Sequence, residues 1–133
     1  MTIAEVCKRC NVTPDTLRYY ERVGLIPHVR RTAGGIRDYA ETDVNWVTFI
    51  RHMRSAGLPV SALARYVSLF RKGDASLGER KDILVRQRAL LAKRVETLRA
   101  VLEKLDAKIA TYEERCAVWE RTHLRGGKDE NRA

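Results

Sequence analysis

The chain has 133 residues and a net charge of +9, with 44% hydrophobic and 32% charged residues. That size fits one small domain with an extension and is short for two full cores, and the composition suits a soluble, helix-rich protein. The basic excess points to a polyanionic partner, nucleic acid ahead of a membrane surface. No apolar run approaches 18 residues, the first residues lack the pattern of a secretion signal, and three cysteines are too few and odd in number for a disulfide scaffold, so the expected setting is cytoplasmic.

Ile3 to Cys10 reads as a first helix, with Ile3, Val6, Cys7 and Cys10 on one face, Thr2 and Glu5 as a capping box, and Asn11 at a left-handed end. Thr13-Pro14-Asp15 opens a second helix, Thr13 as cap and Pro14 at its first position; Leu17 and Tyr20 face inward and Gly24 ends it. Two helices joined by so short a turn form a helix-turn-helix candidate. Residues 25–39 place short extended segments around Gly34-Gly35, with arginine on both flanks, and predict a basic β-hairpin wing. Thr42-Asp43 starts a third helix that runs to Ser55 and stops at Gly57. Ser61 caps a fourth, with Leu63, Tyr66, Val67 and Phe70 inward and Gly73 at its end. Arg51, His52 and Arg54 lie just before the break between these two helices, where a second loop is expected to touch a nucleic-acid backbone.

From Leu84 onward the pattern becomes a heptad seam. Leu91, Leu98, Leu105, Tyr112 and Trp119 share one core position; Val95, Leu102, Ile109 and Cys116 share the other. No Gly or Pro interrupts residues 79–125, so one helix of about 61 Å is expected over 79–119. Such a seam requires a partner, and the expectation is a homodimer. The organisation predicted is a winged helix-turn-helix head over 1–72, a coiled-coil dimerisation helix over 77–120 and a disordered tail over 126–133. The basic excess sits in the head: residues 1–72 carry twelve Lys and Arg against six Asp and Glu, while the remainder carries fourteen against eleven.

The run Thr16-Leu17-Arg18-Tyr19-Tyr20-Glu21-Arg22-Val23-Gly24-Leu25-Ile26 strongly resembles the recognition helix and exit turn of MerR-family transcription regulators. The resemblance continues through Gly35-Ile36-Arg37-Asp38-Tyr39, through Phe49-Ile50-Arg51-His52-Met53-Arg54-Ser55-Ala56-Gly57-Leu58, and into the long helix, covering about residues 1–120. It is nearest to the small thiol- and aldehyde-responsive branch. The resemblance implies a mainly α fold, a winged helix-turn-helix that dimerises through an antiparallel coiled coil. It further implies binding to pseudo-palindromic double-stranded promoter DNA, distortion of the spacer, and an indirect effect on RNA polymerase through the promoter. The residues it implies at the DNA are Thr16, Arg18 and Tyr19 in the groove, Arg18 as the base contact. Arg37 and Tyr39 are implied on the backbone from the wing, and Arg54 near the second loop. Tyr20 is divided between phosphate contact and core, since Leu17 shares its face.

Cys7 and Cys10 form a CxxC without the second pair that a structural zinc site needs, and buried filler is the expected role. No metal, cofactor or catalytic residue is expected, nor any membrane partner. Metal-sensing relatives place ligands at the start of the long helix; Leu77 to Arg80 offers no Cys or His, and His123 stands alone at the far end. His52 occupies the place where thiol-responsive relatives carry cysteine, and an imidazole cannot serve as the electrophile-sensing thiol. A thiol oxidoreductase using Cys7 and Cys10 would need a βαβ context or Gly-rich loop that this sequence lacks. A coiled-coil adaptor whose basic head binds an acidic protein is the alternative to a DNA-binding regulator.

Overall fold

The computed structural model describes residues 1–125, with the side chain of Cys116 also outside the described set. The tail predicted over 126–133 lies outside the described residues. Six α-helices occur among those described: α1 (Ile3–Cys10), α2 (Pro14–Arg22), α3 (Glu41–Ser55), α4 (Val60–Arg71), α5 (Leu77–Ala110) and α6 (Ala117–His123). Among the described residues no helix is long and apolar enough to cross a membrane. The chain divides into two compact units, one over Met1–Leu91 and one from Ala92 onward.

In the first unit, local chemistry sets the short helices. The Thr2 hydroxyl accepts the Glu5 N–H at the start of α1, and Asn11 takes a left-handed conformation at its end (φ 54°). Thr13 caps α2, whose first residue is Pro14, and Gly24 (φ 77°) lets the chain turn out of the helix while Leu25 N–H returns to the Tyr20 carbonyl. Helix α3 begins one residue before the expected start. Its cap, Ala40, has no hydroxyl or carboxylate, and Asp43 accepts the Ala40 N–H at 2.8 Å. Helix α4 begins before the expected Ser61: Pro59 holds the extended cap conformation and Val60 is already helical.

One core closes this unit. Val6 and Cys10 of α1 meet Leu17 and Tyr20 of α2, Val44, Val47 and Ile50 of α3, and Leu63 of α4, while Leu25, Ile26, Val29 and Leu58 fill from the connections. Phe70 is exposed and Leu69 takes the inward place, contrary to the expected face. Phe70 instead meets Trp46 edge-on at 4.9 Å, in an aromatic group with Phe49 and Tyr66 that joins α3 to α4. The buried Ser76 hydroxyl donates to the Leu69 carbonyl at 2.6 Å and receives the Arg80 Nε–H at 3.1 Å, fixing the turn from α4 into α5.

The predicted β-hairpin is not formed as strands among the described residues. Residues 30–38 make a tight turn with one antiparallel bridge, Arg31 to Arg37, closed by Thr32 N–H on the Ile36 carbonyl and Asp38 N–H on the Arg30 carbonyl. The reason lies at the end of the turn. Tyr39 exchanges backbone bonds with Met1, so the second arm pairs with the N-terminus instead of extending a ladder with the first.

The second unit departs from an uninterrupted helix. Helix α5 ends at Ala110, a π-helical turn covers Tyr112–Cys116, and α6 follows. Thr111 leaves the helical region (φ −117°, ψ 15°) while its hydroxyl bonds back to the Ala107 carbonyl, a competition that bends helices. Lys108 Nζ then lies 2.8 Å from Glu120 Oε2. A straight helix would separate residues twelve apart by about 18 Å, so the chain turns back. Tyr112 and Trp119 therefore sit beyond the break, and the seam that remains on α5 runs from Leu84 to Ile109.

Candidate nucleic-acid interface

Helix α2 has a two-sided sequence. Leu17 is fully buried and Tyr20 nearly so, which turns Arg18, Tyr19 and Arg22 outward. Arg18 pairs with Asp15 at 3.2 Å across one turn, an exposed and weak ion pair that leaves the guanidinium able to change partners. Arg22 lies over the Tyr19 ring, 5.5 Å from its centre, and holds that half-exposed aromatic in place. Thr16, half-buried, bonds through its hydroxyl to Thr13 at 2.9 Å.

Two candidate residues lie in the core, Tyr39, which was expected on the DNA backbone, and Tyr20, which was divided between phosphate contact and core. Tyr39 is 2% exposed, and its hydroxyl is buried without a hydrogen-bond partner. Tyr20 is 7% exposed and belongs to the same core. Both rings belong to the core of the first unit, and burial pushes both phenols up from their ordinary range. The Arg54 and Arg51 charges lie close enough to Tyr20 to oppose that shift, so its polar end is turned toward the end of α3.

Arg37 is also revised. Its Nε donates to Glu21 Oε1 at 2.7 Å, and the pair is poorly exposed, 25% for Arg37 and 6% for Glu21. The other carboxylate oxygen, Oε2, accepts the Val29 N–H at 3.2 Å and faces His28 Nδ1 at 3.0 Å. Burial works against the Glu21 charge, but the bonds from Arg37, His28 and Val29 outweigh it and hold the carboxyl below its usual range. The carboxylate thus ties the last turn of α2 to the chain after it and to the wing turn. Arg37 is a strut first, because a buried carboxylate demands a donor. Arg54 is exposed and donates to the Leu58 carbonyl at 2.6 Å, closing the end of α3. Arg30 and Arg31 stand out on the wing turn, Arg30 paired with Asp38 at 2.9 Å.

The MerR HTH family regulatory protein model matches residues 1–69, and the MerR DNA-binding model matches residues 44–113. The chain belongs to the MerR family. Among its MerR relatives, the HTH-type transcriptional regulator AdhR of Bacillus subtilis (strain 168) is 53% identical over 91 residues, 68% of this chain and 65% of AdhR. The chain thus spans just under two thirds of that relative's own length. A MerR family transcriptional regulator from Listeria monocytogenes has a crystal structure similar to this fold, with a TM-score of 0.84, 38% identity, and coverage of 98% of this chain and 96% of that one. HiNmlR, a MerR family regulator lacking the sensor domain, matches at a TM-score of 0.77 and 25% identity, over 87% of this chain and 92% of its own, and was crystallised bound to promoter DNA.

Cys10 is buried in the core, and burial pushes the Cys7 thiol up, with Cys10 adding to the shift. Both effects disfavour the reactive thiolate. Among the described residues no three His, Cys, Asp or Glu side chains gather as a metal site. The sequence reading passed over Glu21, His28 and Arg22. Arg22 carried a signal, lying three residues after Tyr19 on the same helix face; the Glu21 contacts span seven to sixteen residues and have no local pattern.

Proposed function

We propose that the protein is a sequence-specific, DNA-binding transcriptional regulator that acts as a homodimer. Helix α2 enters the major groove, Arg18 reads a base edge, and Thr16 and Tyr19 contact groove and backbone; Arg54 lies along phosphate near the α3–α4 break. The wing is held at its angle by Arg37. Two copies bind a pseudo-palindromic promoter and distort the spacer, so that RNA polymerase is affected through the DNA. The work is cytoplasmic, where promoter and polymerase are.

The observation that carries this reading is the outward Arg18-Tyr19-Arg22 face of α2 in a chain that two MerR models match. The dimer reading is supported by α5. Leu98 is 68% exposed and Ile109 is 71% exposed, and Val95, Leu102 and Leu105 share that exposed row. An apolar row of this length in water favours pairing with its own copy. The domain reading follows: a head over 1–72, an antiparallel dimerisation helix from 77, and a coil that sets the spacing of the two α2 helices. The test is competition binding of a promoter duplex against a scrambled duplex at stated salt. Preference for the promoter by a factor of a thousand or more is expected for a specific regulator; equal binding to both contradicts it.

A further inference from the structure

His28 stands apart from the other residues of the Glu21 cluster. Its side chain is 87% exposed although its Nδ1 lies 3.0 Å from the nearly buried Glu21 Oε2. Glu21 is held ionised by Arg37 and Val29, and an ionised carboxylate only accepts. The Nδ1 atom must therefore carry the proton in that contact. This fixes the ring's orientation and leaves Nε2 directed away from Glu21, with no hydrogen-bond partner among the described residues. The ring sits against the last turn of the helix that bears Arg18, Tyr19 and Arg22, and lies two and three residues before the exposed Arg30 and Arg31.

We infer that His28 is a phosphate-binding residue of the DNA interface, oriented by Glu21. This rests on the DNA-binding reading above. In the neutral ring oriented by Glu21, Nε2 is a lone-pair acceptor and repels a phosphate oxygen. The imidazolium is the form that can bridge both anions, donating Nδ1–H to Glu21 and Nε2–H to the phosphate. The two anions on opposite edges of the ring then favour its charged form. The charged groups around the ring are Glu21 on α2, Arg37 behind the same carboxylate, and the Arg30–Asp38 pair on the wing turn. Arg37 is held by the nearly buried Glu21 and does not replace His28 at that phosphate.

The test compares the wild-type chain with His28→Gln on a duplex recovered by in vitro selection from a random pool. The residue is exposed, so the variant is expected to fold, and the thermal transition checks this. Wild-type affinity is expected to fall between pH 6 and pH 8 by about five- to tenfold more than that of the variant, as one favoured proton is lost. The wild-type salt slope is expected to be steeper at pH 6 than at pH 8 by about one, the signature of one additional phosphate contact, while the variant's slope stays the same. Contributions from His52 or the N-terminal amine are common to both proteins and cancel. Equal pH dependence and equal slopes in the two proteins would overturn the role of His28 while leaving the regulator reading intact. Failure of the wild type to enrich any duplex at either pH would overturn the regulator reading itself.

Discussion

The two units of this chain use similar apolar residues to opposite ends. In Met1–Leu91 the periodic Leu, Ile and Val side chains converge, and Leu17, Leu25, Ile26, Val47 and Ile50 are fully buried. From Ala92 onward the same residue types lie along one helix, and Val95, Leu98, Leu102, Leu105 and Ile109 are all exposed. Helical periodicity alone does not distinguish them. The difference is set by chain direction: turns at Asn11, Gly24 and Gly57 fold four short helices onto one another, whereas α5 has no turn until Thr111. A domain that closes its own core is stable at any concentration, while an exposed seam makes stability depend on a second copy.

Leu102→Ala should give the largest effect, because one substitution acts twice in the proposed dimer. Each lost side chain removes roughly 2 kcal/mol or more of burial, so dimer dissociation should strengthen by about a thousandfold or more, with the head's own unfolding unchanged. Sedimentation equilibrium reads this directly, and an unaltered association constant would mean that the row is not the interface. Leu17→Ala should do the reverse. It leaves a cavity in the core of the first unit and costs about 2–5 kcal/mol in a denaturant titration, regardless of protein concentration.

Arg37→Ala probes the joint between recognition helix and wing. Removing the donor leaves Glu21 buried with one oxygen unsatisfied, a loss of about 1–3 kcal/mol at pH 7. The Glu21 carboxyl is depressed in the folded state, so its stabilisation is present above the ordinary carboxyl range and is lost as pH falls below about 4. The gap between wild type and variant should therefore narrow in acid. A gap independent of pH would mean that Arg37 acts through packing alone. Arg18→Ala, at the exposed face, should leave folding within about 0.5 kcal/mol and weaken binding to the selected duplex by about 1–3 kcal/mol. Equal weakening on random DNA would make Arg18 a phosphate contact instead of a base reader.

Much of the fold was legible because its signals are local. Thr2, Asn11, Thr13, Pro14 and Gly24 act on the backbone within four residues of themselves, and each helix end they predict is found within a residue or two. What escaped was set by distant partners. Tyr39 was read as a backbone contact because it follows an arginine in a wing, but its main chain pairs with Met1 and its ring fills the core. Arg37 was expected on the DNA backbone from the resemblance, and its pairing with Glu21, sixteen residues earlier, has no local pattern that would announce it. The break at Thr111 has no Gly or Pro to announce it, and it is accompanied by a lysine and a glutamate twelve residues apart that meet only once the helix has bent. At the interface itself, Arg18 and Tyr19 are exposed as expected, since a helix with Leu17 and Tyr20 inward has no other way to turn them.

Which DNA the chain selects decides most directly whether it is a dimeric, sequence-specific regulator. Repeated selection from a random duplex pool, followed by measurement of protein-to-duplex stoichiometry, tests recognition and dimerisation together. The prediction is convergence on an inverted repeat bound by two copies, with half-site spacing that fails when bases are inserted between the halves. Enrichment of no sequence, or of a single half-site bound by one copy, would contradict it.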